Sequence, residues 1–550
     1  MNEYIVTCRS YEDLEDLYDD METPGGSLYI PDRAVDLVHR RAISRNTHYM
    51  LTEEEAEQVG NDPRVIACEL TMLAQGITPE YHWTQTADFN KTDSTFAGDD
   101  KNWGLYRTIE AATVSNWGSD STTEITNRTI ACSASGKNVD VVIVDGHVNP
   151  NHPEFAVNSD GSGGSRVNQL NWFSYSSALG YSTNTNYPYS SSGSSPNTNH
   201  GTHVAGTACG NTQGWARDAN IYNMTFLDSL SGVSDWAQKL WDYLRYFHNN
   251  KSINPATGRR NPTITNHSWG SSYGAFSSSI ITATGYRGTG QTATTQSALE
   301  SNGIPCPSYP NIIRMPARNA ATEADIQDAI DDGVIIISSS GNSYWNCDVS
   351  TGADYNNSLT VGGTTYYHSR GSTPSAADNV ISVGNIGSLV NEYKRNSSNW
   401  GARVDIWAPG TDIISAVYDS SSASTEGGYT PIVADSRNSS YHLASISGTS
   451  MSGPQVAGVV ACLAEQEPNL TQAEALQYLK EHAVAEVGTT GTENTSPYRT
   501  FGANSNNRYM TFPMKRPLTG TLSPAVRHKN RNSDTDGVKF PRVRNNRVFK

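Results

Sequence analysis

The sequence predicts an α/β protein, with a three-layer domain built on a mainly parallel sheet and a small α+β unit in front of it. Apolar runs of strand length occur at 139–144 and 334–337, as is typical of strands buried on both faces of a parallel sheet. Helical patterns at 234–247 and 322–332 predict helices that cover both faces of that sheet. Residues 1–76 differ in composition, with 16 Asp and Glu against six Arg and no Lys.

The composition excludes several classes of protein. The 550 residues are enough for a large core and more than one domain. No run approaches the roughly 18 apolar residues of a membrane helix, and the net charge of −16 argues against nucleic acid as a partner. The seven cysteines form no CxxC pair, which argues against zinc and favours free thiols. Their spacing leaves a disulfide between Cys306 and Cys347 open.

The acidic N-terminal segment reads as a small α+β unit. Strand patterns at 3–8 and 65–70 enclose a helical pattern at 11–21. Thr52 and Glu55, three residues apart, form the capping box of a second, short helix. The alternation of strands and helices predicts an accessory unit that precedes the larger domain in the chain.

Three side chains stand where a serine nucleophile and its partners are expected. Asp145 ends the strand 139–144, and catalytic groups gather at the C-terminal ends of parallel strands. His200 precedes small and apolar residues that predict a buried helix. Ser450 follows a Gly-Thr turn and precedes an apolar run, so it lies at a helix start, whose N–H groups can stabilise an oxyanion. By itself Ser450 could equally be a helix cap, since a serine nucleophile needs a base and an orienting acid.

The residues around these side chains resemble the motifs of the subtilisin-like serine peptidases. They read DGHVNPNHPEF at 145–155, HGTHVAGT at 200–207 and SGTSMSGPQVAG at 447–458. The order Asp, His, Ser is also that of the family. The resemblance implies a subtilisin-type fold and a serine endopeptidase. In such an enzyme Asp145 orients His200, His200 is the base for Ser450, and His203 is structural.

The resemblance also implies an oxyanion hole and substrate-binding residues. Asn342 ends a run of small residues behind the strand 334–337 and corresponds to the asparagine whose amide donates into the oxyanion hole. The segment after the strand 262–265 corresponds to the edge segment that pairs with the substrate backbone and walls the specificity pocket. The residues predicted to bind substrate are Ser268, Trp269, Gly270, Ser339, Ser340 and Gly341.

The aspartate motif departs from the family, which has Ser or Thr and then Gly after the aspartate. Here Gly146 and His147 follow. A hydroxyl beside Asp145 is lost and a bulky ring enters, which predicts weaker support for the aspartate. Residues 271–318 look like an insertion over the cleft that carries no chemistry. The resemblance implies calcium as a structural ion, and the spacing assigns no metal ligands.

Residues 1–76 resemble the propeptide of the same family, which assists folding and then blocks the cleft with its last strand. The resemblance rests on residues 4–6, 51–57 and 61–66. It implies an inhibitory prodomain at 1–76, a linker at 77–101 and a peptidase domain at 102–512. We predict autoprocessing between residues 70 and 103, with the prodomain as intramolecular inhibitor and peptides or proteins as substrates.

The last residues, 513–550, form a basic tail, in which 515–550 hold ten Lys and Arg against two Asp. This composition predicts an extended tail or an arm that anchors to an acidic partner. Residues 507–512 resemble tail or capsid components of bacteriophages that carry subtilase domains, which predicts a virion-associated protein with virion proteins as partners. Residues 1–10 show no secretory signal, so an extracellular location is expected only if a leader has been removed.

Two alternatives to a peptidase remain open on the sequence. A structural or virion-assembly protein could keep the subtilase scaffold and the prodomain while having little or no activity. Gly146, His147 and the basic tail favour this alternative. An esterase could use the same three catalytic residues, and a comparison of peptide with ester substrates would separate it from a peptidase.

Overall fold

The computed structural model divides the chain into two compact units, Met1–Glu80 and Tyr81–Lys550. The residues that it describes are 1–29, 36–40, 44–71, 83–91, 95–110, 124–182, 187, 189, 196–226, 236–274, 276–291, 295–312, 314–388, 392–418, 432–485 and 505–512. The predicted basic tail, 513–550, lies outside the described residues, as does most of the stretch between 71 and 83.

The first unit is a four-stranded antiparallel sheet with two helices. Its elements are β1 (Asn2–Cys8), α1 (Leu14–Glu22), β2 (Asp36–Arg40), β3 (Asn46–Leu51), α2 (Glu53–Gly60) and β4 (Val65–Leu70), with the strands in the order β2-β3-β1-β4. Its core contains Val6, Leu17 and Tyr49. The predicted capping box is present, because the Thr52 side chain accepts from Glu55 N–H and the Glu55 side chain accepts from Thr52 N–H. Between the two helices the structure has two strands, β2 and β3, where the alternation of strands and helices predicted one.

The second unit contains the remaining elements. Its strands are β5 (Trp83–Asn90), β6 (Lys101–Asn102), β7 (Glu124–Cys132), β8 (Asp140–Asp145), β9 (Val167–Asn168), β10 (Asn220–Thr225), β11 (Thr263–His267), β12 (Phe276–Ser277), β13 (Ile281–Tyr286), β14 (Thr289–Gln291), β15 (Asn311–Ile312), β16 (Val334–Ser339), β17 (Ser358–Val361), β18 (Thr364–Tyr366), β19 (Ile381–Ile386), β20 (Ile406–Pro409), β21 (Ile413–Val417), β22 (Ile432–Asp435) and β23 (Asn438–Ile446). Its helices are α3 (Trp103–Glu110), α4 (Pro196–Cys209), α5 (Trp236–Asn250), α6 (Gln296–Ser301), α7 (Ala320–Asp331), α8 (Thr449–Gln466) and α9 (Gln472–His482).

A seven-stranded parallel sheet forms the middle layer of this unit, in the order β20-β19-β16-β11-β8-β10-β9. Alternate residues of β8 face opposite layers, as strand geometry requires. Val141 and Ile143 share a core cluster with residues of α4 and α8. Val142 and Val144 share another with residues of α5 and α7. The predicted three-layer α/β architecture is therefore confirmed.

Several elements differ from the sequence-based expectation. The predicted linker, 77–101, contains the strand β5, which pairs with β7 within the second unit. The strand β11 is central in the sheet, between β16 and β8, and the predicted substrate-pairing segment follows it. The insertion 271–318 contains the short elements β12–β15 and α6. No disulfide joins the two described residues Cys306 and Cys347, which answers the question that their spacing left open.

The segment 505–512 belongs to the core of the second unit. Tyr509 bridges to both Trp407 and Val484, and Phe512 is buried. These residues therefore have a packing role here. Within the described part of the chain, no helix combines the length and the apolar character that a membrane span requires.

Candidate active site

The strand β8 and the helix α4 bring Asp145 and His200 together. Asp145 is fully buried at the C-terminal end of β8, and its Oδ1 lies 2.7 Å from His200 Nδ1. An ionised carboxylate can only accept, so the imidazole proton lies on Nδ1 and Nε2 is the basic nitrogen. His200 is on the first turns of α4 rather than at its entry, because the helix begins four residues earlier than its sequence pattern indicated.

The turn after Asp145 shows what replaces the missing hydroxyl of the family motif. Gly146 N–H donates to Asp145 Oδ1 over 2.7 Å. Among the described residues no donor reaches the buried Asp145 Oδ2. Asn223 holds the turn instead, because its Nδ2 donates to Gly146 O and its Oδ1 accepts from Val148 N–H. The backbone of the turn is thus fixed while one carboxylate oxygen lacks support, in line with the sequence prediction.

His203 has a structural role, as predicted. Its Nε2 lies 2.9 Å from Ile413 O and 3.1 Å from Ala444 O. Two carbonyl acceptors require an N–H at this position, so His203 joins α4 to the strands β21 and β23. Burial lowers its pKa to about 3, so the ring stays neutral near pH 7.

Ser450 lies in the first turn of α8, where the first four N–H groups have no partner within the helix. Pro454 lacks an N–H and cannot donate to the carbonyl four residues back, Ser450 O. Ser268 Oγ donates to that carbonyl over 2.9 Å. Ser450 Oγ in turn donates to Ser268 O over 3.2 Å. The nucleophile candidate and the pocket wall are therefore joined by two reciprocal hydrogen bonds.

The amide of Asn342 has a defined orientation. Its Oδ1 accepts from both Thr449 N–H and Thr449 Oγ1, each over 2.9 Å. Since the oxygen is fixed by two donors, the Nδ2 group points the other way. This end lies close to Gly448, two residues before Ser450. Asn342 thereby presents N–H donors beside the N-terminus of α8.

Asn399 positions the Asn342 loop, which the sequence did not reveal. Its Oδ1 accepts from Ser343 N–H and Trp345 N–H, and its Nδ2 donates to Ser340 O over 2.7 Å. Only the pairing of residues far apart in the chain identifies Asn399 and Asn223 as supports of the site.

A pocket of about 210 Å³ opens next to Ser450. Most of the predicted substrate-binding residues line it, namely Ser268, Trp269, Gly270, Ser339 and Gly341, together with Asn342 and Ser450. Ser340 does not line it, because it is buried and its N–H donates to Val383 O. The insertion 271–318, which was predicted to carry no chemistry, contributes Ser271, Ser272, Arg314 and Pro316 to the lining.

The family of the chain follows from a comparison with known families. The model of the Subtilase family matches residues 136–508, which is more than half of the 550 residues. The chain belongs to the subtilase family. The match includes Asp145, His200, Asn342 and Ser450.

Individual subtilases are similar over parts of their length. Subtilisin-like protease 10 of Arthroderma otae is 35% identical over 127 residues, which are 22% of this chain and 26% of that protein. Alkaline serine exoprotease A of Vibrio alginolyticus is 26% identical over 279 residues, which are 50% of this chain and 34% of that protein. The chain thus spans between a quarter and about a third of the length of these curated relatives.

One solved structure aligns with a large part of this chain. The crystal structure of a cold adapted subtilisin-like serine proteinase aligns with 76% of this chain and 99% of that chain, with a TM-score of 0.43 and 21% identity.

Calcium, which the subtilase resemblance implies, has one candidate ligand set among the described residues. Asp88, Asp100 and Glu124 place carboxylate oxygens within 4.8 Å of one another. Burial, and then the negative charges of Asp100 and Asp88, raise the pKa of Glu124. However, Asp100 Oδ2 already accepts from two N–H donors, and calcium takes six to eight oxygen ligands. These three residues do not fit a calcium site on their own, so calcium stays a prediction.

Proposed function

We propose that this subtilase is a serine endopeptidase that acts through an acyl-enzyme. The observation that carries the proposal is the 2.7 Å pair of Asp145 and His200, at the end of a buried strand, in the same unit as Ser450 at a helix N-terminus. His200 Nε2 would take the proton of Ser450 Oγ as the oxygen attacks the scissile carbonyl. Asp145 would hold the ring in the required tautomer and stabilise the imidazolium.

The oxyanion of the tetrahedral intermediate would be bound by Asn342 Nδ2 and Ser450 N–H. The proposal is supported by the orientation of the Asn342 amide and by the position of Ser450 in the first turn of α8. Fixed donors of this kind stabilise the charge that develops in the transition state without reorganising. His200 would then protonate the leaving amine, and water would release the acyl group by the reverse roles.

We also propose that the first unit is a prodomain that is removed by autoprocessing. The division of the chain after Glu80 supports this. The pairing of β5 with β7 makes residues 83–90 part of the second unit, so we expect cleavage in the stretch 71–82. Most of this stretch, 72–82, is outside the described residues.

The intact mass of the purified protein, beside that of Ser450→Ala, tests both proposals. We expect the wild type to lose its N-terminal segment and Ser450→Ala to keep it. Ser452→Ala is the matched control, because it removes a hydroxyl from the same helix turn that bonds only to Thr449 O. We expect Ser452→Ala to be processed.

Retention of the full mass in all three proteins would reject autoprocessing. A fluorophosphonate probe, which reacts with activated serines, separates the remaining possibilities. Labelling of Ser450 without processing would retain the peptidase and reject the prodomain proposal. Absence of both would favour the alternative of a latent scaffold in a virion, for which the described residues provide no supporting contact.

A further inference from the structure

Among the described residues that line the pocket beside Ser450, Arg314 is the one charged residue, and none has a carboxylate. The rest of its lining consists mainly of serines and glycines, with Asn342, Asn399 and two tryptophans among the others. Its volume of about 210 Å³ is below the roughly 300–1,000 Å³ of pockets for small-molecule ligands. The pocket therefore suits a single amino-acid side chain.

The backbone of Arg314 is held against the pocket wall. Arg314 O accepts from Trp345 Nε1 over 2.9 Å. The next residues are tied to the segment that follows Gly270, because Tyr273 N–H donates to Met315 O and Ala317 N–H donates to Ser271 O. Met315 is fully buried. The root of the arginine side chain is thus fixed at the pocket, although it comes from the insertion.

Arg314 is an exposed residue, and its guanidinium has no carboxylate partner within the part of the chain that the structure describes. Two other arginines of the same region do have carboxylate partners. Arg318 pairs with Glu323, and Arg287 pairs with Asp354. An arginine stays charged at every relevant pH and binds a carboxylate through two parallel hydrogen bonds. The partner that Arg314 lacks within the chain can come from a substrate.

We propose that this pocket takes the side chain of the residue before the scissile bond, that it prefers Glu or Asp, and that Arg314 determines this preference. The inference rests on the proposed peptidase function and specifies its substrate class. A substrate Lys or Arg would bring a like charge to the pocket, with no acid there to receive it. A neutral side chain would leave the guanidinium without its strongest partner.

The net charge of −16 does not prevent this preference. At physiological salt the Debye length is about 8 Å, so the repulsion of distant surface acids is largely screened. The contact between a bound carboxylate and Arg314 is much shorter than that. The local cation therefore decides the selectivity, while the overall charge affects mainly the rate of encounter.

The inference also identifies a processing position. Glu80 is the one acidic residue in the stretch 71–82, and it is the last residue of the first unit. We expect the processed chain to begin at Tyr81, as N-terminal sequencing would show. A mature N-terminus elsewhere in 71–82 would count against an acidic preference.

The experiment measures kcat/KM for peptides that are identical except for Glu, Gln, Phe or Lys before the scissile bond. Glu and Gln have nearly the same shape, so the ratio of kcat/KM for these two peptides isolates the effect of charge. We expect Glu to exceed Gln by roughly 10- to 100-fold, the range of a charge-assisted hydrogen bond, and Lys to be the poorest. Arg314→Gln should bring the ratio of Glu to Gln near one, and Arg314→Glu should favour Lys.

Arg259→Gln is the matched control, since it makes the same charge change in an exposed loop beside Asn254. It should leave the ratio of Glu to Gln unchanged. Hydrolysis of the Phe or Gln peptide as fast as the Glu peptide by the unaltered protein would overturn the inference while leaving the peptidase proposal intact. Failure to hydrolyse any peptide, without probe labelling of Ser450, would instead overturn the proposed function.

Discussion

At the scale of single residues, the direction of one amide decides whether the site has an oxyanion hole. Thr449 donates twice to Asn342 Oδ1, so the nitrogen is the end left for a substrate. Thr449 Oγ1 also accepts from Gly341 N–H over 3.2 Å. One threonine therefore connects the loop of Asn342 to the first turn of α8.

We expect Asn342→Ala to lower kcat by about 10²–10³-fold, with little change in KM, because the lost donor acts mainly on the transition state. Peptide hydrolysis under saturating and limiting substrate measures both constants. A second variant, Asn342→Asp, tests the donor role of the amide separately from the loop geometry. It keeps an oxygen for Thr449, so the loop geometry is retained, but it places an acceptor where the donor was.

Asn342→Asp should lose at least as much kcat as Asn342→Ala while its melting temperature stays close to that of the wild type. Substantial activity in Asn342→Asp would contradict the assignment of the amide as an oxyanion donor.

The residues that carry the proposed chemistry could be predicted from the sequence because each lies inside a contiguous motif. Asp145, His200 and Ser450 stand in runs of recognisable neighbours. Asn223, Asn399 and Arg314 carry no such local signal. Their roles arise from contacts with residues distant in the chain, and hydrogen bonding at long range leaves no periodic pattern to read.

At the scale of elements, the close approach of α4 and α8 sets the relation between His200 and Ser450. A Cβ atom at Gly458 of α8 would lie 2.5 Å from Ala208 O of α4 and 2.9 Å from Trp215 Cβ. No side chain larger than hydrogen fits between the two helices at this point.

Gly458→Ala should therefore separate the helices and lower both stability and kcat. Overpacking of this kind costs about 1–3 kcal/mol, and peptide hydrolysis with urea unfolding would report both effects. Gly453→Ala, five residues earlier on α8, is the matched control. A Cβ there comes no closer than 3.3 Å, to Asn266 Oδ1, and alanine favours the helix by up to about 1 kcal/mol.

We expect Gly453→Ala to be active. Its stability should be higher than that of the wild type, equal to it or only slightly lower. Equal effects of the two substitutions would show that the approach of α4 to α8 does not control the site.

Elements with strong periodicity were predicted well, and those with weak periodicity were not. The strands β8 and β16 contain the apolar runs 141–144 and 334–337, and α5 has a continuous apolar stripe. The strand β5 reads Trp-Thr-Gln-Thr-Ala-Asp-Phe-Asn and is mostly half-buried or exposed. Its pairing with β7, through backbone groups, decides its structure, and backbone pairing is invisible in composition.

At the scale of the whole molecule, buried neutral histidines link stability to pH. Burial lowers the pKa of His203, His267 and His368 to about 3. Their ordinary value is 6.5, so between about pH 6.5 and pH 3 the unfolded chain binds protons that the folded chain does not. The free energy of unfolding therefore increases as the pH rises from about 3 to about 6.5, and this stability is lost again on acidification.

Each of these histidines should contribute a slope of about 1.4 kcal/mol per pH unit in this window. Urea unfolding of Ser450→Ala, which avoids self-digestion, would measure it between pH 7 and pH 4. His368 packs against Trp345 with ring centroids 4.8 Å apart, so His368→Phe retains an aromatic contact. Adding His368→Phe to Ser450→Ala should reduce the slope of the unfolding free energy against pH by about 1.4 kcal/mol per pH unit. An unchanged slope would refute the link between this histidine and the pH dependence of stability.

The acidic composition of the first residues predicted a separate unit at 1–76, whereas the structure divides the chain after Glu80. Composition changes gradually along a chain, whereas contacts divide it after one residue, Glu80. For the basic tail, 513–550, the charge is the one property that the sequence establishes.

The proline in α8 has an evolutionary consequence. Because Pro454 cannot donate to Ser450 O, the hydroxyl of Ser268 does so. Loss of that hydroxyl would leave the carbonyl without a partner as long as position 454 is proline, whereas another residue at 454 would supply the missing N–H. Positions 268 and 454, which are 186 apart in the sequence, are therefore not free to diverge independently, and the effect of a substitution at one depends on the residue present at the other.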